Sequence, residues 1–418
     1  MKDLLKIFIS RTSLPSILLY MRILNLKSKI LHLFKLDKIY TNTTFNHKKV
    51  VLIAIYKNGS LRKDIKNLLD RLQKKGYYVI GVNTLKLSKS EIGSFDKLIV
   101  RNNYGRDFGS YKRGFKYFYN NIAKKSKDVE KLLMLNDSIF YSLNNDNLDK
   151  FIDNLSDNRY ELIGATENFE ISHHIGSFCM SFSSEILFNK KFMDYWKNYK
   201  LSDIRPTVIK RGELGLSKIA FKCLTGLEKV NVLYGIDKFL EHIDTNNDVV
   251  DNFYMLSRKS DLVGWTKPSY KLLHKQITDD FFSKSDSLVS KGNVKFEGAL
   301  EDIDTDHITN NEQYYDYVKN TNITKDKIKL NIITMLTSSY VIGSQIHQNY
   351  GFIYRMGCPI LKNDALYRGM VSFKDITYLK EILNKEDHDL YVKILVKQQY
   401  GDNVLIGWKN IAFNNGYL

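Results

Sequence analysis

Val50-Val-Leu-Ile-Ala-Ile-Tyr56, then Lys57-Asn-Gly-Ser60, then Leu61, Ile65, Leu68, Leu69 and Leu72 at helical spacing, then Gly76 and Tyr77-Tyr-Val-Ile-Gly-Val-Asn83: this stretch decides the fold. The first and last runs are short, apolar and rich in β-branched or aromatic residues, as strands buried on both faces must be. The leucine stripe between them reads as a helix of about four turns that Gly76 terminates. Strand, helix, strand in this order implies a right-handed crossover and a parallel sheet. No GxGxxG follows the first strand and no GxxxxGK[ST] occurs, so neither the familiar dinucleotide fold nor a P-loop kinase is supported.

The pattern continues downstream. Lys97-Leu-Ile-Val-Arg101 reads as a third strand, and Asn102-Asn-Tyr-Gly-Arg-Asp-Phe-Gly-Ser-Tyr-Lys-Arg-Gly114 as a polar, glycine-rich segment at its end. Phe115 to Ile122 reads as the next crossover helix, leading to Lys131-Leu-Leu-Met-Leu-Asn136-Asp137-Ser138-Ile-Phe140. An apolar strand that runs out into Asn-Asp-Ser is a candidate floor for a site, because ligands in open α/β sheets sit beyond the carboxyl ends of the strands. Further strands are expected at Tyr160–Thr166, Ile171–Phe182 and Val230–Tyr234, with a helix over Glu185–Tyr195. A second helix begins near Val208 and carries Glu213 in its first turn, where the helix dipole favours a carboxylate. Residues 240–330 alternate polar and short apolar segments without a clear period. From Ile328 the pattern is mainly helical, with stripes at Leu379, Ile382, Leu383 and at Leu390, Val392, Ile394, Leu395.

Composition bounds the function classes. The 418 residues carry 43% hydrophobic and 26% charged side chains, the profile of a folded chain with room for two or three domains. A net charge of +17 draws the protein to anions: nucleic acid, anionic lipid or phosphorylated substrates. The excess is spread along the chain, and no nucleic-acid module is recognisable. Cys179, Cys223 and Cys358 lie far apart with no CxxC, which argues against a disulfide framework or a Cys-type zinc site and for a reducing compartment. His173-His174 is the one close histidine pair, and adjacent strand residues point apart. No run approaches the roughly 18 apolar residues of a membrane span, and the start lacks the features of a signal peptide.

Residues 1–45 differ from the rest. Ile17, Leu18, Met21, Ile23, Leu24, Leu26, Ile30, Leu31, Phe34 and Leu36 recur at helical spacing, with Arg22, Lys27, Lys29 and Lys35 between them. This is a basic amphipathic helical segment. It fits either the plane of an anionic membrane or a helix packed on the main domain with snorkelling lysines.

The order Asn103-Tyr-Gly-Arg-Asp-Phe-Gly, Leu135-Asn-Asp-Ser, His174-Ile-Gly-Ser-Phe and then Glu213 resembles the rhamnan-synthesis-F family of glycosyltransferases. Members carry N-x-G-x-D-F-G, a post-strand N-D-S, H-x-Q-S-Y/F and a later carboxylate. Asn349 to Lys362 looks like the family's late segment with its Gly-x-Pro-x-x-Lys. The resemblance covers roughly residues 50–240 and a patch near 345–395. Gly176 stands where the family usually has Gln, and about 240–345 matches nothing.

The resemblance implies a GT-A-like, Rossmann-type, mostly parallel sheet flanked by helices over residues 46–240, and a C-terminal region, 241–418, that is mixed and then mainly helical. It implies a hexosyl transfer, with inversion, from a nucleotide-diphosphate sugar such as dTDP-rhamnose or a similar deoxysugar donor. The acceptor implied is a growing, lipid-linked bacterial surface polysaccharide. The location implied is cytoplasmic, with peripheral contact at the inner face of the membrane as an option, and no nucleic acid partner.

Sugar transfer needs a held diphosphate, stabilisation of its departing charge and a base for the acceptor hydroxyl. Asn136-Asp137-Ser138 stands where such enzymes place a two-carboxylate metal motif. Asp137 is thus the expected ligand of a divalent cation, Mg²⁺ or Mn²⁺, which the single carboxylate permits but does not demand. Asn103, Gly105, Arg106, Gly109, Lys112, Asn136, Ser138 and Ser177 are the expected substrate contacts, with Lys112, Arg106 or Arg113 as alternative sources of positive charge. Glu213 is the expected base and Asp107 its competitor, nearer the nucleotide. His174 either touches the acceptor or diphosphate or is a satisfied buried histidine. Two alternatives stand beside this reading: a non-catalytic basic module for nucleic acid or anionic polymer, and an inactive glycosyltransferase-like scaffold.

Overall fold

The computed structural model of the chain describes residues 2–33, 36–124, 128–169, 171–245, 344–367, 373–380 and 383–396, with positions 333, 337, 340, 341 and 371. The polar segments at Thr245-Asn-Asn-Asp and Ser283-Lys-Ser-Asp-Ser lie wholly or mostly outside the described residues, as do Phe34 and Ile382. Two compact units emerge, residues 1–235 with 344–418, and residues 236–343. In the second, the described helix Ile236–Thr245 buries Phe239, whose ring stacks on Tyr340 at 4.2 Å.

The first unit is α/β. Its strands are β1 Lys38–Thr41, β2 Lys49–Ile55, β3 Tyr77–Asn83, β4 Lys97–Val100, β5 Lys131–Asn136, β6 Ile139–Tyr141, β7 Leu162–Gly164, β8 Glu167–Asn168, β9 His174–Ile175, β10 Cys179–Ser183, β11 Val230–Val232 and β12 Ile360–Lys362. Eight of them form one sheet in the order β1-β4-β3-β2-β5-β10-β7-β11. Of its seven pairings, β2–β3, β2–β5, β3–β4 and β7–β11 are parallel and the other three antiparallel, so the sheet is mixed where a mostly parallel one was expected. The departures have local causes. The chain returns from β7 to β10 through the short ribbon β8–β9, which turns it back beside β5. Edge strand β1, absent from the sequence reading, is exposed at all four positions and so carries no burial pattern to read.

The interiors of central strands β2 and β5, residues 50–55 and 132–135, are apolar because helices cover both faces. Val50, Leu52 and Ala54 of β2, Tyr78, Ile80 and Val82 of β3, and Leu132 and Met134 of β5 share one core with the helix α3 described below and with Phe192 and Trp196. The alternate residues Val51, Ile53, Val79, Leu133 and Leu135 are buried as well. The first crossover helix is α2, Lys63–Lys74, burying Ile65, Leu68, Leu69 and Leu72 as its stripe predicts. The three cysteines are buried and unpaired.

The second crossover helix departs from the sequence reading. α3 spans Arg106–Tyr117 and continues as a π-turn over Phe118–Ala123, so it begins nine residues before the expected Phe115. Glycines that suggested a loop are sites of close packing inside a helix. A Cβ on Gly114 would lie 2.0 Å from Leu52 Cδ1, and one on Gly109 would lie 2.2 Å from the Tyr104 carbonyl oxygen. At Gly114 the helix approaches the sheet, and at Gly109 the loop before it, so closely that only hydrogen fits.

The chain after residue 344 returns to this unit. β12 pairs antiparallel with β6, with Lys362 opposite Ile139. Phe140, Tyr350, Leu361, Leu366, Leu379, Leu383, Tyr391 and Leu395 form a second core there. Helix α4, Lys385–Leu395, is pinned by Asp387, whose buried carboxylate accepts from the Leu143 N–H at 2.9 Å, from Asn384 Nδ2 at 2.8 Å and from the Ser142 hydroxyl. Among the described residues, no helix is long and apolar enough to cross a membrane.

Candidate active site

The sheet's winding locates the site. From β2 the chain crosses through α2 to β3 on one side; from β4 it crosses through α3 to β5 on the other side of β2. The direction reverses between β2 and β5, and ligands of open α/β sheets bind in the crevice beyond the strand ends at such a reversal. Asp137, the first residue past β5, spans that crevice. Its N–H donates to the Ala54 carbonyl at 3.0 Å, and its Oδ2 accepts from the Tyr56 N–H at 2.9 Å.

Around it the residues of Asn136-Asp137-Ser138 form one network. Asn136 Oδ1 accepts from the Ser138 hydroxyl at 2.7 Å and from the Ser138 N–H at 3.2 Å. Asn136 Nδ2 donates to Asp107 Oδ2 at 2.9 Å, linking the end of β5 to the first turn of α3. Tyr111, one turn further along α3, donates its hydroxyl to the Ser177 carbonyl at 3.3 Å. The Asn136 carbonyl accepts from the buried Tyr141 hydroxyl at 2.9 Å.

Two residues from far down the chain complete the cluster. Lys362 Nζ donates to Ser138 Oγ at 2.7 Å and lies 5.0 Å from the centroid of the Phe178 ring. Asn363 Nδ2 donates to the Asp137 carbonyl at 2.9 Å, and its N–H to the Ser138 carbonyl at 2.9 Å. Underneath, Arg62 donates to the Asp137 carbonyl at 2.7 Å and the Ile139 carbonyl at 2.6 Å. Sequence reasoning assigned no role to Lys362, Asn363, Arg62 or Tyr111. For Lys362 a signal existed, the Gly357-Cys-Pro-Ile-Leu-Lys362 segment; for Arg62 there was none.

The site holds two carboxyl groups, both shifted upward. Desolvation is the largest cause at each. At Asp107 it is opposed by Lys362, Arg106, Asn136 and Arg101. At Asp137 the Tyr56 N–H opposes it, Asp107 adds to it, and Arg62 and Lys57 oppose it. A carboxyl raised in the folded state favours folding while protonated. That contribution is full below the unfolded value of about 4 and is lost as pH rises through the raised folded value. We therefore expect Asp137→Asn, which still offers the Tyr56 N–H an acceptor, to be more stable than wild type at neutral pH. The gain is about 2–4 °C in melting temperature for each kcal/mol recovered, and it shrinks as pH falls towards 4. Melting curves across that range check this; a pH-independent difference contradicts it.

The other expected site residues are placed as follows. Gly105 takes φ +86° and Arg106 φ +50°, so the entry to α3 is left-handed at two successive positions. Asp203 holds it there, accepting from the Gly105 N–H at 2.7 Å through Oδ1 and from Arg106 Nε at 2.8 Å through its carbonyl. A non-glycine residue in that conformation is strained, and such strain gathers at functional sites. Asn103 is exposed. Gly109 packs on Tyr104 and Arg101. Lys112 donates to the carbonyls of Lys197 at 3.1 Å and Tyr199 at 2.6 Å, and Arg113 pairs with Asp37, so both cations serve helix contacts. His174 is buried in the β8–β9 ribbon, its Nδ1 2.8 Å from the Ser172 carbonyl.

Glu213 does not start a helix. Pro206 opens the helical segment earlier, at Arg205; a π-turn, Ile209–Glu213, follows, and a helix over Leu214–Phe221 continues it. The dipole argument for Glu213 therefore does not apply. Four residues on, Ser217 Oγ accepts from the Ile175 N–H at 3.0 Å, so the helix is fastened to the ribbon beside His174. Glu213 itself is partly exposed, and its carboxylate lies within electrostatic reach of the Tyr199 phenol.

Among the described residues no three His, Cys, Asp or Glu side chains gather as a metal cage. Asp107 and Asp137 as a pair suit only a hard cation that takes its remaining ligands from phosphate and water.

Comparison with known proteins bears on the same region. The chain is 24% identical over 206 residues to the uncharacterized protein y4gN of Sinorhizobium fredii, covering 47% of this chain and 52% of that one. It is 29% identical over 184 residues to the virulence protein VirA of Vibrio anguillarum, covering 41% and 55%. The chain thus spans about half the length of the curated relatives it matches. Residues 82–222 match the family model of Rhamnan synthesis protein F, a family named for polysaccharide synthesis, and that span contains Asp107, Asn136, Asp137, Ser138, Ser177 and Glu213.

Proposed function

We propose that the protein is a nucleotide-sugar-dependent glycosyltransferase of GT-A-like fold. It transfers rhamnose or a similar deoxysugar, with inversion, to a lipid-linked bacterial surface polysaccharide. The observation that carries this reading is the convergence of Asp107, Asn136, Asp137 and Lys362 at the reversal of winding between β2 and β5. The match to the rhamnan-synthesis family over the same segments supports it.

In this reading Lys362 faces the diphosphate as a point charge and stabilises the negative charge that develops as the sugar leaves. Asp107, next to the left-handed entry of α3, accepts hydrogen bonds from the nucleotide, and Asn136 and Ser138 orient both groups. Asp137, with Asp107, would hold a divalent cation on the diphosphate, where it would supply further neutralisation of the leaving group. Glu213 takes the proton from the acceptor hydroxyl.

Thermal stabilisation by nucleoside diphosphates and nucleotide sugars, with and without Mg²⁺ or Mn²⁺, tests the reading. A ligand-specific rise in melting temperature is expected. Lys362→Ala should weaken nucleoside diphosphate affinity roughly 10- to 100-fold, the usual worth of a charge-assisted hydrogen bond. Calorimetry showing unchanged affinity would remove Lys362 from this role. Nucleic acid binding with a steep salt slope, and no response to any nucleotide, would favour the basic-module reading instead.

A further inference from the structure

Over residues 19–33 the N-terminal helix α1, Lys2–Leu33, turns an apolar stripe to solvent although its other side is docked on the protein. Its docked side there is mixed: Met21 is buried, and Leu24, Asn25, Ser28 and His32 are half-buried. Asn25 Oδ1 accepts from the Asp203 N–H at 2.8 Å, His32 lies 5.5 Å from the Tyr104 ring, and Met21 is buried alongside them. Its open side is apolar: Leu19, Ile23, Leu26, Ile30 and Leu33, at steps of four, three, four and three, are 46–71% exposed. Surface helices ordinarily turn such a stripe inward. Arg22 and Lys29 flank it on one side and Lys27 on the other, all exposed, and no acidic residue occurs between Asp3 and Asp37.

We propose that this stripe is a docking surface for an anionic lipid bilayer, with α1 lying in the interface plane. Charge decides the occupant. Isoleucine and leucine alternating in this stripe would also suit a parallel pair of helices, but such a pair would set Arg22 and Lys29 of one copy against Lys27 of the other. An anionic headgroup layer neutralises those same cations while the leucines and isoleucines enter the acyl boundary. The docked side ties this surface to the site: Asp203, which holds Asn25, also holds Gly105 and Arg106 at the entry to α3. The inference stands on the helix alone and does not depend on the reaction assigned above.

Flotation of the full chain tests it, using vesicles of phosphatidylcholine alone and with about one-third phosphatidylglycerol. The protein should float with the anionic vesicles only. The triple variant Ile23→Glu, Leu26→Glu, Ile30→Glu should stay unbound. The triple variant Arg22→Gln, Lys27→Gln, Lys29→Gln should partition on the order of 100-fold more weakly. All six side chains face solvent, so both variants should keep the wild-type circular dichroism and melting temperature. A wild-type protein that fails to float, or variants that float equally well, would overturn the proposal. So would a wild-type dimer, seen by analytical ultracentrifugation without lipid binding, that the apolar-stripe variant converts to monomer; the stripe would then belong to a second copy.

Discussion

Replacing Arg62 with alanine is expected to destabilise the protein by about 3–5 kcal/mol, the typical cost of leaving a buried charge without its partner. Arg62 donates Nε and Nη2 to the two oxygens of Asp64, at 2.9 and 2.8 Å, and the Asp64 side chain is only 1% exposed. Without the guanidinium, that carboxylate keeps the Tyr141 N–H at 3.1 Å as its described partner. The same guanidinium sits 4.4 Å from the Phe140 ring centroid and holds the carbonyls of Asp137 and Ile139. One side chain thus joins the start of α2 to the turn between β5 and β6. Denaturant titration measures the loss. Combining Arg62→Met with Asp64→Asn should cost clearly less than the sum of the two single changes, because the double variant strands no charge. A loss below about 1 kcal/mol for Arg62→Ala would mean that solvent reaches Asp64 and that the clamp is not structural. Lysine is no substitute, since it cannot make the two-pronged contact and reach both carbonyls.

How much of this was legible beforehand follows from where each signal sits. Strand β3 reads at its observed limits, Tyr77–Asn83, because every residue in it is buried and the run carries no polar side chain before its last residue, Asn83, apart from the tyrosine hydroxyls. The start of α3 was missed by nine residues because Gly109 and Gly114, needed for close packing, look like loop residues in isolation. The polar end of β5 could be recognised as a candidate site, but its partners could not. Lys362 lies 224 positions from Ser138 along the chain, and only the pairing of β12 with β6 brings them together. The network beneath it has the same character: Arg62 meets Asp137 across 75 positions through a backbone carbonyl, which leaves no mark on residue type. Local burial writes itself into the sequence as apolarity; hydrogen bonds between distant segments do not.

The largest effect on activity is expected at Glu213. Under the proposed reaction, Glu213→Gln should lower turnover by about 10²- to 10⁴-fold, the usual contribution of a positioned general base. Nucleoside diphosphate affinity should be unchanged, because Glu213 ends the π-turn Ile209–Glu213 and is not part of the Asp107–Asn136–Asp137 network. Its position suits the acceptor side. It ends a π-turn, a local widening of the helix found often at functional sites, and it stays partly open to solvent while Ser217 fixes the next turn to Ile175. Asp107→Asn should act differently. It removes a charge near Lys362 and Arg106, so donor affinity and turnover should both change. The split between the two variants is the informative measurement. Near-full turnover in Glu213→Gln would move the role of base to Asp107, which Asn136 joins to the end of β5. A fall in nucleotide affinity for Glu213→Gln equal to its fall in turnover would place Glu213 on the donor, leaving the acceptor hydroxyl to another group.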